Sequence, residues 1–497
     1  MTQKTRNAPP RAAAMLESLR GLGYSTAAAL ADIVDNSISA GATEARIEFV
    51  WDGAHSRISI LDDGRGMDDG ELESALRLGD KNPLDARDAR DLGRFGMGLK
   101  AASFSQCRRL TVASTKDGAQ SCLRWDLEEL AARPDSDWLL FEGPAKGSKP
   151  YLAPLKGKRS GTLVLWESMD RIVSDGYTAD DFNDLVDSVE SHLAMVFHRL
   201  IQGPRAKFKL LLNGQAVAPW DPFMTGHPAK PWSSPTTYHA TDYGSVAGQC
   251  HVLPHRDKLT PAEFEDNGGP AGWTAQQGFY VYRNERLLVA GGWLGLGNAR
   301  AWNREEAHRL ARIRIDIPNT ADADWKIDVR KSTARPPVSL RPWLMALAEN
   351  TREKARRVFA YRGTPAPAQG NIPIEQAWRA ERVKAGIRYR IEETHPSVAA
   401  VLANAGALGP LVKSMLRVIE ETVPVQRIWL DTAENKEAPR TGFEDEPNEA
   451  IVEVAQVLFD DLMERKGLSV AEARKSLLRT EPFQKYPALV AKLGLDK

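Results

Sequence analysis

The sequence predicts an α+β sandwich over residues 24–203, with helices covering one face of a sheet. Three observations carry this. The hydrophobic periods alternate as helix, strand, strand, loop, helix and strand, and glycines fall at the junctions between them. Three glycine- and carboxylate-rich segments stand in a fixed order near the start: "ALADIVDNSISAGAT" at Ala29–Thr43, "ILDDGRGMDDG" at Ile60–Gly70 and "DLGRFGMGLKAAS" at Asp91–Ser103.

Residues Met1 to about Pro10 read as a flexible arm, followed by a short helix over Ala12–Leu19. Ser25 or Thr26 can cap a second helix that runs to Ala40, with Gly41 placed to end it. Ala45–Trp51 alternates, with Ile47, Phe49 and Trp51 set against Arg46 and Glu48, and Arg57–Leu61 does the same, so both read as strands. The polar stretch from Ala75 to Gly93, broken by "GDKNP", reads as a loop. Helix is expected over Met97–Ser105, strand over Arg109–Thr115 and Gly161–Ser168, and a long closing helix over Ala179–Gln202.

A second domain is expected over residues 204–340. It opens with the strand–turn–strand pattern "KFKLLLNGQAV", whose Asn213-Gly214 is the hairpin signal. Strands follow in "QGFYVYRNERLLVAGG" and "ARIRIDIP", then helix from Arg341 to Tyr361. "RGTPAPAQGNIP" completes a helix-and-linker stretch over residues 341–374, and residues 375–497 read as mostly helical.

With 66 basic and 66 acidic residues the chain has no global affinity for polyanions. From Arg300 to Arg362 the sequence holds 15 Lys/Arg against 8 Asp/Glu, a stripe that could meet DNA phosphates and more often is a solvated face. Trp302, Trp325 and Trp343 in this stretch are expected in the core. Cys107, Cys122 and Cys250 are widely spaced and odd in number, which fits a reducing compartment. With no CxxC pair and only three widely spaced cysteines a structural zinc site is not expected. No run approaches the roughly 20 apolar residues of a membrane span, and the basic N-terminus lacks a signal peptide's apolar core. The expected location is cytoplasmic.

Asp32 and Asn36 are four residues apart and lie one above the other on a helix. A carboxylate and an amide oxygen so placed can polarise a water and hold Mg²⁺ beside phosphates. Alone, Asp32 and Asp35 would read as a solvated helix face. In Asp62, Gly64 and Gly66, a DxGxG after a strand, the glycines let backbone turn and approach a flat ring, although a DDG turn is common in unrelated proteins. Gly93, Gly96 and Gly98 form a GxxGxG before a helix, where N–H groups can cradle an anion and Lys100 adds a point charge. No GKS or GKT follows, which excludes a Walker-type P-loop, and the strand–glycine–helix order of a Rossmann unit is missing.

Together these segments resemble the nucleotide-binding signature of the GHKL ATPases, the superfamily of DNA gyrase, the large heat-shock chaperones, histidine kinases, MutL and MORC proteins. The resemblance implies a Bergerat-type ATP-binding sandwich, a βαβ transducer domain, and ATP with Mg²⁺ as ligands. It implies Asp32 as the general base and Asn36 as the metal ligand. Asp62 would accept a hydrogen bond from the adenine amino group, with Asp63 the less favoured alternative. Met67 would pack against the base, and the Thr162 hydroxyl would reach it through water. Gly93, Gly96, Met97, Gly98 and Lys100 would surround the phosphates, under a lid containing Asp80, Lys81 and Asn82. The family usually has Glu where Asp32 stands. The shorter side chain must hold water from further back or through a second water, so slow hydrolysis is expected.

A transducer lysine that reaches the γ-phosphate would be Lys331, or secondly Lys326, both in "DADWKIDVRKSTARPP". "FYVYRNERLLVAGGW" is similar to the matching stretch of MORC-type proteins, and histidine kinases fit poorly for want of this domain. The implied function is an ATPase clamp or gate that forms a homodimer on binding ATP, with the residue 1–23 arm swapped between subunits. DNA is its implied partner, in a bacterial defence or DNA-transaction setting alongside other proteins of the same operon, with no membrane. Two alternatives stand beside it: a module that dimerises on ATP with little hydrolysis, and a chaperone acting on protein clients.

Overall fold

The computed structural model describes residues 6, 11–80, 98–133, 138–204, 206–242, 244–297, 300–321, 324–328, 333–360, 375–383, 386–428 and 449–495. The chain divides into two units, Met1–Gly363 and Thr364–Lys497.

The first unit opens with α1 (Ala12–Arg20), which buries Leu16 and Leu19 in the first core. Arg20 ties the helix to its own domain, donating to the Cys107 carbonyl at 2.8 Å and to both Asp170 oxygens at 2.5 and 2.6 Å. Helix α2 (Thr26–Ser39) is capped by Ser25, whose hydroxyl accepts from the Ala28 amide at 3.2 Å. Its Ala27, Ala29, Leu30, Ile33 and Val34 all join the core.

Strands β1 (Glu44–Val50) and β2 (Arg57–Asp62) pair antiparallel, and each alternates in burial as its sequence pattern requires. Helix α3 (Asp69–Leu76) was not expected. It forms because Asp68 and Glu71 make a reciprocal capping box, so helix replaces loop at Ala75. Then come α4 (Gly98–Phe104), the β3 (Arg109–Lys116)–β4 (Ala119–Asp126) hairpin, α5 (Leu127–Ala131), β5 (Phe141–Glu142) and β6 (Gly161–Glu167). The long closing helix is interrupted at Phe197 into α6 (Ala179–Val196) and α7 (His198–Ile201).

The expected hairpin forms as β7 (Lys209–Leu212) and β8 (Gln215–Ala216), with Asn213 at φ 47° and Gly214 at φ 82°. It does not open the second domain. β7 lies parallel to β1, and the Asn213 side chain accepts from the Phe49 amide at 2.8 Å. Leu210 and Leu212 fill the first core, and burying them there is what carries the sheet beyond residue 203. The completed eight-stranded order is β5-β4-β3-β6-β2-β1-β7-β8.

The second sheet holds β9 (Trp232–Ser233), β10 (Thr237–Thr241), β11 (Gly244–Val252), β12 (Gly278–Arg283), β13 (Arg286–Ala290) and β14 (Ala311–Ile317). Its order is β10-β11-β14-β12-β13, with β9 on β11 and with β12 parallel to β14. Short helices α8 (Pro261–Asp266) and α9 (Gly272–Ala275) precede β12. Helix α10 (Arg341–Ala360) sets Leu344, Ala348 and Ala355 against Val246, Ile313 and Ile315 in a second core. Trp325 is buried in that core and Trp302 and Trp343 pack against it. Part of the basic stripe is internal too: Arg312 is wholly buried, and the Arg352 guanidinium lies 4.8 and 4.6 Å from the Trp293 and Trp302 rings.

The second unit begins with a hairpin that the helical expectation missed, β15 (Trp378–Val383) with β16 (Gly386–Ile391). Helices Pro396–Asn404, Gly409–Glu421, Glu449–Glu464, Val470–Leu477 and Pro487–Lys492 follow. Among the described residues no single helix is long and apolar enough to cross a membrane.

Burial pushes His192, His198, His251 and His308 down from 6.5 to about 4. Between those values the unfolded chain binds protons that the folded chain refuses, so stability rises with pH in this window. Each histidine contributes a slope of at most about 1.4 kcal/mol per pH unit. Urea denaturation should therefore show a midpoint that drops steadily from pH 7 to pH 5. A flat profile over that range would contradict the burial of these rings.

Candidate functional site

The middle strands bring three side chains into one row. Asp62 on β2 pairs with Thr162 on β6, and Thr162 pairs with Ser114 on β3, so all three project from the same face. All are buried. Asp62 Oδ1 accepts from the Gly64 amide at 2.9 Å and the Thr162 amide at 3.3 Å, and Oδ2 accepts from the Ser37 hydroxyl at 2.9 Å. Burial pushes the Asp62 carboxyl above its ordinary value, while those three donors pull it back. The result is a fixed carboxylate with strong acceptor character at a strand end. Ser114 joins the row to the next loop: its hydroxyl accepts from the Met67 amide at 2.8 Å and shares a 2.9 Å hydrogen bond with the Thr162 hydroxyl.

The neighbouring Asp63 has a different task. Its carboxylate accepts from the Thr43 amide at 2.8 Å, the Thr43 hydroxyl at 2.6 Å and the Glu44 amide at 2.9 Å. It fastens the start of β1, which leaves Asp62 as the carboxylate of the pair that joins the row.

Helix α2 lies beside this row, with Ser37 bridging the two. Asp32 and Asp35 are not the solvated face that their charge suggests, being 3% and 1% exposed. Asp32 Oδ2 accepts from the Tyr24 hydroxyl at 3.0 Å. Arg286 at the start of β13 donates through Nε to Asp35 at 3.1 and 3.2 Å, and its Nη2 stands 3.9 Å from Asp32 Oδ1. Asn36 is exposed, and its amide makes no hydrogen bond to a described residue. A Cβ built on Gly98 would lie 3.8 Å from Asp32 Oδ2, so the last glycine of the third segment adjoins Asp32.

Two glycines are fixed by close backbone approach. Gly66 has φ 71°, and a Cβ there would sit 1.8 Å from the Thr115 carbonyl oxygen. Gly161 has φ 140°, and a Cβ there would sit 2.5 Å from the Asp62 carbonyl oxygen. Gly64 leaves room for Asp62 itself, since its Cβ would meet Oδ1 at 3.0 Å. Lys100 is placed differently from the expectation. Its buried ammonium donates to the Ala75 and Arg77 carbonyls at 3.0 and 2.8 Å, where α3 ends and leaves carbonyls without helical partners. Lys81, Gly93, Gly96, Met97 and Lys331 lie outside the described residues. Lys326 is exposed, in a turn at φ 47°.

The sequence did not single out Tyr24, Ser37, Ser114 or Arg286. Ser114 is one of several small polar residues in its strand, and Arg286 sits in the "YRNERL" hairpin, so neither stands out without a partner to read it against. Their roles come from contacts between distant segments.

This arrangement defines a GHKL ATPase domain of mixed α/β build. Residues 24–162 match the family described as histidine kinase-, DNA gyrase B-, and HSP90-like ATPase. The chain is similar to the DNA mismatch repair protein MutL of Rhodospirillum rubrum, 38% identical over 134 residues that make up 27% of this chain and 19% of that protein. It is also similar to ATPase morc-1 of Caenorhabditis elegans, 33% identical over 95 residues, 19% of this chain and 11% of that one. The chain thus spans less than a fifth of the length of either relative. The donor set fits a magnesium nucleotide: a buried carboxylate and hydroxyl in one row, and an unengaged amide on the helix beside them.

Replacing Gly66 by Ala should cost on the order of 3 kcal/mol or prevent folding, because strain adds to overlap with backbone. Gly118→Ala is the control. Its φ is 86° with nothing within 4 Å of a Cβ, so it should cost only about 1 kcal/mol of strain. Equal losses for the two in urea denaturation would refute the close approach at Gly66.

Proposed function

We infer that this chain binds Mg²⁺-ATP beside the Asp62–Thr162–Ser114 row and hydrolyses it at Asp32. The observation that carries the reading is the buried Asp62 carboxylate, held on three sides next to a helix that presents Asp32 and Asn36 one turn apart. Bound Mg²⁺-ATP supplies an electrophilic γ-phosphoryl group whose charge the metal screens. Asp62 accepts a hydrogen bond from the purine amino group, with the Thr162 hydroxyl beside it and Met67 against the ring. Asn36 holds the metal. Asp32 orients a water and takes its proton, with Tyr24 fixing the carboxylate in place. Lys331, with Lys326 as second choice, stabilises charge on the γ-phosphate from the second domain.

The wider reading is a cytoplasmic clamp that dimerises on ATP and acts on DNA, in a bacterial defence or DNA-transaction system. Its support is the MutL likeness, since that relative is named for DNA mismatch repair. One observation favours a nucleotide switch with little turnover instead. Asp32 is short, its Oδ2 is held by Tyr24 and its Oδ1 faces Arg286, which leaves little freedom to advance on a water.

Phosphate release and ATP affinity decide between them. Wild type should turn over slowly, Asp32→Asn should lose at least tenfold in rate with ATP affinity within threefold, and Asn36→Ala should lose magnesium-dependent binding. Asp62→Ala should abolish binding. If wild type releases no more phosphate than Asp32→Asn while both bind ATP, the switch reading stands and the hydrolytic one is lost. Failure of wild type to bind ATP would end both. DNA binding, measured at 50 and 200 mM salt, should weaken steeply with salt if phosphate contacts carry it.

A further inference from the structure

Arg286 belongs to the second domain, yet its guanidinium is buried against the helix that carries the proposed base. It follows the turn between β12 and β13, where Asn284 and Glu285 adopt φ 48° and 67°. Such a turn is tight and holds the first residue of β13 firmly. Nε is engaged by Asp35, Nη1 donates to the Leu287 carbonyl at 2.6 Å, and the Phe197 ring lies 5.9 Å beneath the guanidinium carbon. Nη2 points towards Asp32 at 3.9 Å, close enough to attract its charge and too far for a hydrogen bond. His192 on α6 adjoins the cluster and is held neutral, its value lowered to about 4 by burial and then by the Arg286 charge, so it brings no competing cation.

We propose that Arg286 is a positioning residue through which the second domain sets the hydrolysis rate. It acts through Asp35, fixing the turn of α2 that carries Asp32, while the nucleotide row around Asp62 stands on separate contacts. Docking of the β12–β13 hairpin therefore governs turnover and leaves nucleotide affinity alone. The inference rests on the hydrolytic reading above.

The test compares wild type, Arg286→Gln, Arg286→Lys and the double variant Asp35→Asn/Arg286→Gln in the full chain, reading phosphate release at saturating Mg²⁺-ATP and, separately, the Kd for ATP. Arg286→Gln should lose at least tenfold in kcat with Kd within threefold. Arg286→Lys, which keeps the charge and loses the fork, should fall in between. The double variant should recover to within threefold of wild type, because replacing the buried ion pair by two neutral amides leaves the net charge around Asp32 unchanged. If Arg286→Gln fails to fold by circular dichroism, Arg286→Lys and the double variant carry the comparison. The proposal is overturned if Arg286→Gln keeps its rate, if rate and affinity fall together in the folded variants, or if the double variant is no faster than the single. A wild type without turnover sinks the hydrolytic reading and this one with it. Turnover that Arg286 variants leave intact sinks this one alone.

Discussion

Helix α2 is buried on two sides, and its charged residues are as buried as its apolar ones. Asp32 and Asp35 are 3% and 1% exposed, and carboxylates so far from water are tolerated only where donors and opposite charge surround them. Tyr24 meets the first from the helix's own N-terminal side, and Arg286 meets the second from the second domain. The N-terminal sandwich is thus incomplete by itself around this helix. Its electrostatics close only when the β12–β13 hairpin is in place, which physically links two sheets that the sequence presents as successive stretches.

The rest of the site follows from strand register. Because β2, β6 and β3 are neighbours in antiparallel register, Asp62, Thr162 and Ser114 stand side by side without any loop to position them. A slip of one residue would turn every one of them to the opposite face. The twin aspartates show the same alternation at closer range. Asp63 points the other way and fastens Thr43 and Glu44, so one carboxylate builds the fold while its neighbour joins the buried polar row.

Some of the basic charge around the second sheet lies inside it. Arg312 is wholly buried, Arg309 pairs with Glu306, and Arg352 lies between two tryptophans. Guanidinium groups suit such places because they are planar, weakly hydrated and stack on aromatic rings. Part of the basic surplus over Arg300–Arg362 is therefore internal, while Arg300, Arg304, Arg335, Arg341, Arg356 and Arg357 are exposed.

The sequence by itself determined the α+β character around the first sheet and most of its strands. These depend on local rules: period, glycine at tight turns, and spacing along one helix. It placed Asp62 over Asp63 only by likeness to relatives. Helix α3 was legible in its Asp68–Glu71 capping box and the β15–β16 hairpin is likewise a local pairing, whereas the attachment of β7 to the first sheet was decided by tertiary structure, because parallel pairing joins distant segments. The same holds for Lys100, drawn to the end of α3, and for Ser114 and Arg286. A serine in a strand and an arginine after a turn become functional candidates only when distant segments close around them, and that long-range packing is what a local reading of the chain lacks.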